Sequence, residues 1–315
     1  MKLLLSTLML ILVVVDQAHA AETRPNIVFI YADDWGWGDL SCHGHPWLKT
    51  PNLDRLASEG VDFRQFNVLN PVCSPSRTAV MTGHYPARYS IHQHFAAPTQ
   101  NHQQNMPDWL DPNAPTLPRI FRQAGYRTAH FGKWHLTNRD THGAPEPAAY
   151  GYDEASVFNG GAEWPSADLH ATAGNTVEFI KANKDQPFFI NVWLHESHTP
   201  HVPTAESMEQ WKHLDEQKQV YSAVITDGDR SVGMILDALQ AEGLDDNTIV
   251  MFSSDNGPET VPKQKLLTRT SGSRATTPFT ASATPVDCGV ANAACSKAAC
   301  ASPSLCAGPD TLRQV

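Results

Sequence analysis

Basic residues are scarce in this chain. Its 315 residues carry 23 Lys and Arg against 33 Asp and Glu, a formal charge of -10. A nucleic-acid partner is therefore not expected, because a phosphate-binding surface needs clustered cations. Long apolar runs are nearly absent as well. The one candidate, Leu3 to Val15, is shorter than the roughly 20 residues that a bilayer span requires. With Lys2 before it and Ala18-His19-Ala20 after it, Met1 to Ala20 reads as a secretory signal peptide. That reading leaves no membrane span after cleavage and predicts a periplasmic or secreted protein. Cysteine is sparse too: of six, only Cys42 and Cys73 precede residue 288, so no disulfide framework is expected in the body of the chain. No internal repeat is found.

What is present suffices for a packed core, since 41% of the residues are hydrophobic. Asn26 to Ala32 is an apolar run of strand length without alternation, the pattern of a strand buried on both faces. Phe188 to Leu194 and Thr248 to Phe252 read the same way, and Arg127 to Phe131 is a weaker candidate. Helices are predicted from Thr50-Pro51 to Gly60, over Leu117 to Ala124, and from Val220 to Leu239 with interruptions at Gly228 and Gly233. Strands alternating with helices imply an α/β fold around a largely parallel sheet, with ligands gathered beyond the carboxyl ends of the strands. Pro86 to Pro118 and Pro145 to Pro165 read as long surface loops.

Candidate chemistry falls after those strands. Asp33-Asp34 follow the first, and Asp255-Asn256 follow the strand ending near Phe252. Together they offer oxygen ligands only, suited to Ca²⁺ or Mg²⁺ rather than zinc. Alone, Asp-Asn-Gly is as well read as a turn. Between the two clusters lies Cys73-Ser74-Pro75-Ser76-Arg77, continued by Thr78 to Gly83 and able to start a helix. An isolated cysteine is by default a small buried hydrophobe. Gly132-Lys133-Trp134-His135 follows the Arg127 strand, and Ser197-His198-Thr199-Pro200 follows the Phe188 strand. Three histidines, His195, His198 and His201, stand within seven residues and raise a zinc alternative, set aside because the carboxylates already supply an oxygen site.

The C-S-P-S-R motif, with these other motifs in order, resembles the sulfatases, and within them the branch that includes arylsulfatase A and N-acetylgalactosamine-6-sulfatase. The resemblance covers about Arg24 to Pro258. It implies the alkaline-phosphatase-like three-layer sandwich and the hydrolysis of sulfate esters, aryl or carbohydrate, polysaccharides included. It further implies that a formylglycine-generating enzyme oxidises Cys73 to formylglycine, whose hydrate attacks sulfur. One divalent cation, usually Ca²⁺ with Mg²⁺ as alternative, would be held by Asp33, Asp34, Asp255 and Asn256 together with the residue at position 73. By the same resemblance Arg77 and Lys133 offset charge on the sulfate oxygens, His135 takes a proton from the hydrate, and His198 protonates the leaving alcohol. A phosphonate or phosphate monoester hydrolase of the same superfamily is the runner-up.

After about Thr260 the resemblance stops. Ser271 to Val315 is rich in Ala, Ser, Thr, Pro and Cys, as a low-complexity, disordered tail would be. The genetic code supports a sharper reading. Shifting the frame by one base lets Val286 to Asp310 encode RLRGRKRSLLEGGVRVPFVVRWPG, which contains the Lys-x-x-x-x-Glu-Gly-Gly segment that sulfatases carry here. The expectation is therefore an incomplete catalytic domain over 24–260, then an aberrant, frameshifted and disordered tail over 261–315. The C-terminal subdomain and last strands would then be lacking, leaving an open sheet edge and little or no activity.

Overall fold

The computed structural model describes residues 24–138, 141–159 and 170–258, with short strands at 269–270, 273–274 and 304–307. Met1 to Ala20 and most of the 261–315 tail lie outside the described residues. In chain order the main elements are β1 (Asn26–Ala32), α1 (Pro51–Glu59), β2 (Val61–Asp62), α2 (Cys73–Thr82), α3 (Pro98–Gln103), α4 (Leu117–Gln123), β3 (Arg127–Lys133) and β4 (Glu154–Phe158). There follow α5 (Ala171–Asn183), β5 (Phe188–Trp193), α6 (Ala205–Gln210), α7 (Glu216–Ala241) and β6 (Thr248–Ser254). A two-residue pairing of β7 (Arg269–Thr270) with β8 (Ser273–Arg274), and then β9 (Ser304–Ala307), complete them.

The main sheet runs β2-β9-β6-β1-β5-β3-β4, and from β6 to β4 every pairing is parallel. This is the expected α/β fold. Strand residues alternate between two cores. Val28, Ile30, Phe188, Ile190, Val192 and Val250 face a layer built from α1, α5 and α7, where Leu53, Leu56, Phe179, Val224 and Ile235 meet them. Tyr31, Phe189 and Trp193 face the opposite layer with Met81 of α2, Trp134 and Tyr150. Each fully buried aliphatic or aromatic side chain of this kind contributes roughly 1.5–3 kcal/mol.

Three readings need correction. Pro86 to Pro118 is not a surface loop: Ile91, Phe95, Met106, Leu110 and Ala114 are buried in the second core. Its prolines mislead because Pro86 and Pro98 each start a short helix, where a missing N–H costs nothing. Likewise 145–159 contains the edge strand β4. The edge beyond β6 is also not bare. β9, from within the segment read as aberrant, pairs antiparallel with β6 over Val250 to Ser253. Backbone ladders are indifferent to side-chain identity, so such a pairing needs no selected sequence.

Helix α7 reconciles its interruptions with a purpose. Gly228 lies against Trp35, whose Cζ2 would be 2.7 Å from an added Cβ. The polar residues around it reach four different segments. Asp229 accepts from the Leu53 N–H at 2.9 Å and the Asn52 side-chain amide at 2.8 Å, so one helix supplies the N-terminal cap of another. Asp227 accepts from Thr204 and Ser207 at the start of α6. Tyr221 donates to Asp39 at 2.6 Å, and Ser231 donates to Glu196 at 2.9 Å.

Asp229→Ala removes the α1 cap and is expected to lower the unfolding free energy by about 1–2 kcal/mol, measured by urea denaturation. Burial pushes the carboxyls of Asp39 and Asp229 up to about 6. A folded pKa above the unfolded one gives stability that is full below about 4 and is lost as pH rises through about 6. Melting temperature of Asp39→Asn should accordingly show a smaller fall between these pH values than the unaltered chain does.

Candidate active site

Strand register builds the site. In the parallel β1–β6 pair, Ala32 stands opposite Ser254. The next residues, Asp33 and Asp255, therefore emerge side by side, and the Asp255 N–H donates to the Ala32 carbonyl at 2.9 Å. Ser254 Oγ accepts from the Trp35 N–H at 2.9 Å, and Asp255 Oδ1 from the Asp34 N–H at 3.2 Å. Asp34 itself has φ +59°, a left-handed backbone that a non-glycine residue adopts at some cost and that often marks a functional turn. The Asn256 side-chain amide donates to Asp34 Oδ1. All four expected oxygen-ligand residues are thus gathered at one end of two adjacent strands.

Cys73 enters from above as the first residue of α2. No side chain caps that helix, because its N-cap is Val72. Donor atoms of Cys73, Asp33 and Asp255 lie within 4.8 Å of one another. One turn on, Arg77 is fully enclosed. Its Nη2 donates to Asp255 Oδ2 at 2.7 Å and Asp33 Oδ1 at 3.1 Å, while its guanidinium lies 4.9 Å from the centroid of the Trp193 ring. Its Nη1 also donates to the Lys133 carbonyl at 3.4 Å. Lys133, the last residue of β3, donates to Asp33 Oδ2 at 2.6 Å.

His135 has φ +49°, and its Nε2 faces the Phe95 carbonyl at 3.2 Å while its backbone N–H donates to Asn159. Such a turn follows a residue that only glycine can supply. Gly132 has φ +100°, and an added Cβ would meet the Trp193 carbonyl oxygen at 2.1 Å. His198 lies at the rim with 26% of its side chain exposed. Its Nδ1 donates to the Thr199 carbonyl at 2.6 Å, which leaves Nε2 as the basic nitrogen, 3.9 Å from Asp34 Oδ2.

His201, by contrast, is turned away, with Nε2 at 3.0 Å from the Ser197 carbonyl. The sequence reading gave no site role to three further residues. His195 Nδ1 hydrogen-bonds Asp33 Oδ2, Ser197 Oγ donates to the Asp33 carbonyl, and buried Glu196 accepts from the His195 N–H at 2.8 Å. The signal was there, a His-Glu-Ser-His run at the end of a fully buried strand.

Electrostatics set the states of these groups. Burial raises the carboxyl pKa of Asp255 strongly, helped by repulsion from Asp33, and raises that of Asp34 as well. Asp33 suffers the same burial, yet Lys133, His198, His195 and Arg77 together hold it well below the usual carboxylate range. Two cations, Arg77 and Lys133, thus face three carboxylates, and a further positive charge is what the donor set lacks. Lys133 and Arg77 stay protonated: burial disfavours the charge, but the carboxylates overcome it. Burial keeps His135 neutral and pushes the Cys73 thiol up to about 12, so it is no thiolate at ordinary pH.

Comparison with known proteins shows the family. The family model described as Sulfatase matches residues 25–283. Human N-acetylgalactosamine-6-sulfatase is 31% identical over 277 residues, covering 76% of this chain and 51% of that protein. Human arylsulfatase A is 29% identical over 284 residues, covering 77% of this chain and 54% of the relative. The chain spans about half the length of the curated relatives it matches. A solved structure described as Ps i-CgsB in complex with k-i-k-neocarrahexaose superposes with a TM-score of 0.70 at 25% identity, covering 92% of this chain and 67% of the other.

Removing Arg77 leaves two buried carboxylates without their shared partner. Arg77→Met is expected to cost about 3–5 kcal/mol in chemical denaturation with chelator present. Adding Asp255→Asn should recover part of that loss, a coupling that a double-mutant cycle measures.

Proposed function

Because this chain belongs to the sulfatase family, we propose that its site hydrolyses sulfate esters, with carbohydrate sulfates as the substrate class and aryl sulfates as convenient probes. The observation that carries the reading is the convergence of Cys73, at an uncapped buried helix start, with Asp33 and Asp255. The carbohydrate preference follows from what the relatives are called, a galactosamine sulfatase and a protein solved with a neocarrahexaose.

Asp33, Asp34, Asp255 and Asn256 fit a hard divalent cation, Ca²⁺ before Mg²⁺, because all offer oxygen and their carboxylates outnumber the cations beside them. When bound, such an ion supplies the charge that favours ionisation of an oxygen nucleophile. The thiol at position 73, held protonated, is a poor nucleophile; oxidation to formylglycine by a maturation enzyme would supply a hydrated aldehyde instead. The chain's own residues do the rest. Arg77 and Lys133, both charged, attract the sulfate oxygens and offset charge that builds on them. Neutral His135 is available to accept a proton from position 73. His198, at the rim with Nδ1 held by the Thr199 carbonyl, uses Nε2 to protonate the departing oxygen.

The frame-shifted reading of 261–315 bears directly on rate, since it removes family residues that bind sulfate. Restoring the frame should raise aryl sulfatase activity by on the order of 10²–10³ after co-expression with a formylglycine-generating enzyme. Cys73→Ser in the restored chain should return it to background. Faster turnover of an aryl phosphate than of the aryl sulfate would instead assign a phosphate monoesterase. Calcium should raise the melting temperature of the chain as written, and Asp255→Asn should abolish that rise.

A further inference from the structure

We propose that a cleft at the carboxyl ends of β3 and β4 is a subsite for an uncharged sugar ring, the neighbour of the ring that carries the sulfate. The cleft measures about 280 Å³. One wall is the turn after β3, with Trp134 and Asn138; a second is Val157 and Asn159 at the end of β4; the third is the segment 141–147. The first of these turns also carries His135. The Asn159 side chain accepts from the His135 N–H at 3.0 Å, and Asn138 Nδ2 donates to the Phe95 carbonyl, which His135 Nε2 also faces. The cleft and the candidate active site thus share a wall.

The lining suits a ring that bears hydroxyl groups. Trp134 and Val157 offer apolar surface to the C–H face of such a ring, while Thr141, Glu146 and Asn159 place a hydroxyl, a carboxylate and an amide around it. Thr141 is the telling residue. It is only 8% exposed, yet its Oγ1 is buried with no hydrogen-bond partner among the described residues. A hydroxyl left unpaired in this way costs free energy that a ligand hydroxyl in the cleft recovers. No Lys or Arg lines the cleft among the described residues, and exposed Glu146 stands at its rim, so an anionic ring is disfavoured there. The 141–147 wall is already shaped. Gly143 turns the chain with φ +77°, and Pro147 starts a short helix whose last residue, Tyr150, is buried and donates to the Leu110 carbonyl at 2.6 Å. Little ordering is left for a ligand to impose.

Sheet order sets which ring reaches the cleft. Along β1-β5-β3-β4 it lies two to three strand spacings from Asp33, roughly 10–14 Å at about 4.8 Å per strand. On the sulfatase reading above, on which this assignment rests, the sulfate is held beside Asp33, Cys73 and Lys133. The ring bearing that sulfate takes up the span between, and its neighbour in the saccharide is the one that arrives at the β4 end. The substrate class narrows accordingly, to an oligosaccharide in which a sulfated unit is flanked by an unsulfated, uncharged one.

Calorimetry on the full chain, with calcium present, tests this by binding alone. The probes are N-acetylgalactosamine 6-sulfate, two disaccharides that add an unsulfated galactose at its O1 or O3, and the same disaccharides sulfated on both rings. One of the singly sulfated disaccharides should bind about tenfold more tightly than the monosaccharide, and sulfation of its second ring should remove that gain. Thr141→Val and, separately, Glu146→Ala should bring the ratio of the two affinities to near one. Without sugar, Thr141→Val should melt no lower than the unaltered chain; a fall would show the hydroxyl already paired and count against the assignment. Should one variant not fold, the other decides. Equal affinity for the monosaccharide and both disaccharides, a gain that survives the variants, or tighter binding of a doubly sulfated form would overturn the proposal. Failure of the sulfatase reading looks different, since no sulfated sugar would then bind. Lactose, which carries no sulfate, addresses the cleft by itself in that event. Amide shifts at Gly143 and Glu146 that Thr141→Val removes would uphold the subsite, and their absence would end it.

Discussion

Arg77 is the constraint to which everything else at this site answers. A guanidinium with no access to water has been carried to the end of the central sheet, and it persists only because Asp33 and Asp255 meet it there. Those aspartates come from strands more than two hundred residues apart in sequence, brought into register by a ladder that sets Ala32 opposite Ser254. Arg77 comes from the helix that begins at Cys73. The same ion pairs that neutralise a buried charge therefore fix the distance between the reactive position and the carboxylates.

Behind this cluster lies a second layer of restraint, supplied by α7. Its length would ordinarily serve packing alone, yet Tyr221, Asp227, Asp229 and Ser231 each hold a different segment. Ser231 reaches Glu196, which in turn holds the backbone N–H of His195. Tyr221 reaches Asp39, just beyond the turn that carries Asp34. Fixed hydrogen-bonding groups of this kind keep a site's side chains in place more firmly than loop conformation alone can. Charge is unbalanced there, with the three carboxyl groups of Asp33, Asp34 and Asp255 set against the two cations Arg77 and Lys133.

Much of the site was legible before any coordinates. The paired acids after two buried strands were named from residue type and position, and Cys73, Lys133, His135 and His198 from the family resemblance; the acids, Cys73 and Lys133 lie together, with His198 at the rim. Two contacts came only with the fold: Arg77 is an ion-pair partner of Asp33 and Asp255, and His195, passed over as a neighbour, touches Asp33 itself. Neither could be read locally, since a side chain's partner depends on which strand ends lie beside it. The Pro86 to Pro118 segment shows the opposite failure: its composition says loop, yet Ile91, Phe95 and Leu110 are core, because the second face of the sheet had to be covered by something.

By itself the sequence determined the strands, through unbroken apolar runs that only a doubly covered sheet can bury, and the kinds of group that follow each one. Tertiary structure decided which of those groups face one another, which carboxyls can be ionised, and which histidine shares Asp33. The physical reason is that hydrophobic pattern is a property of neighbours along the chain. Ion pairing, desolvation and ligand geometry, by contrast, are properties of neighbours in space.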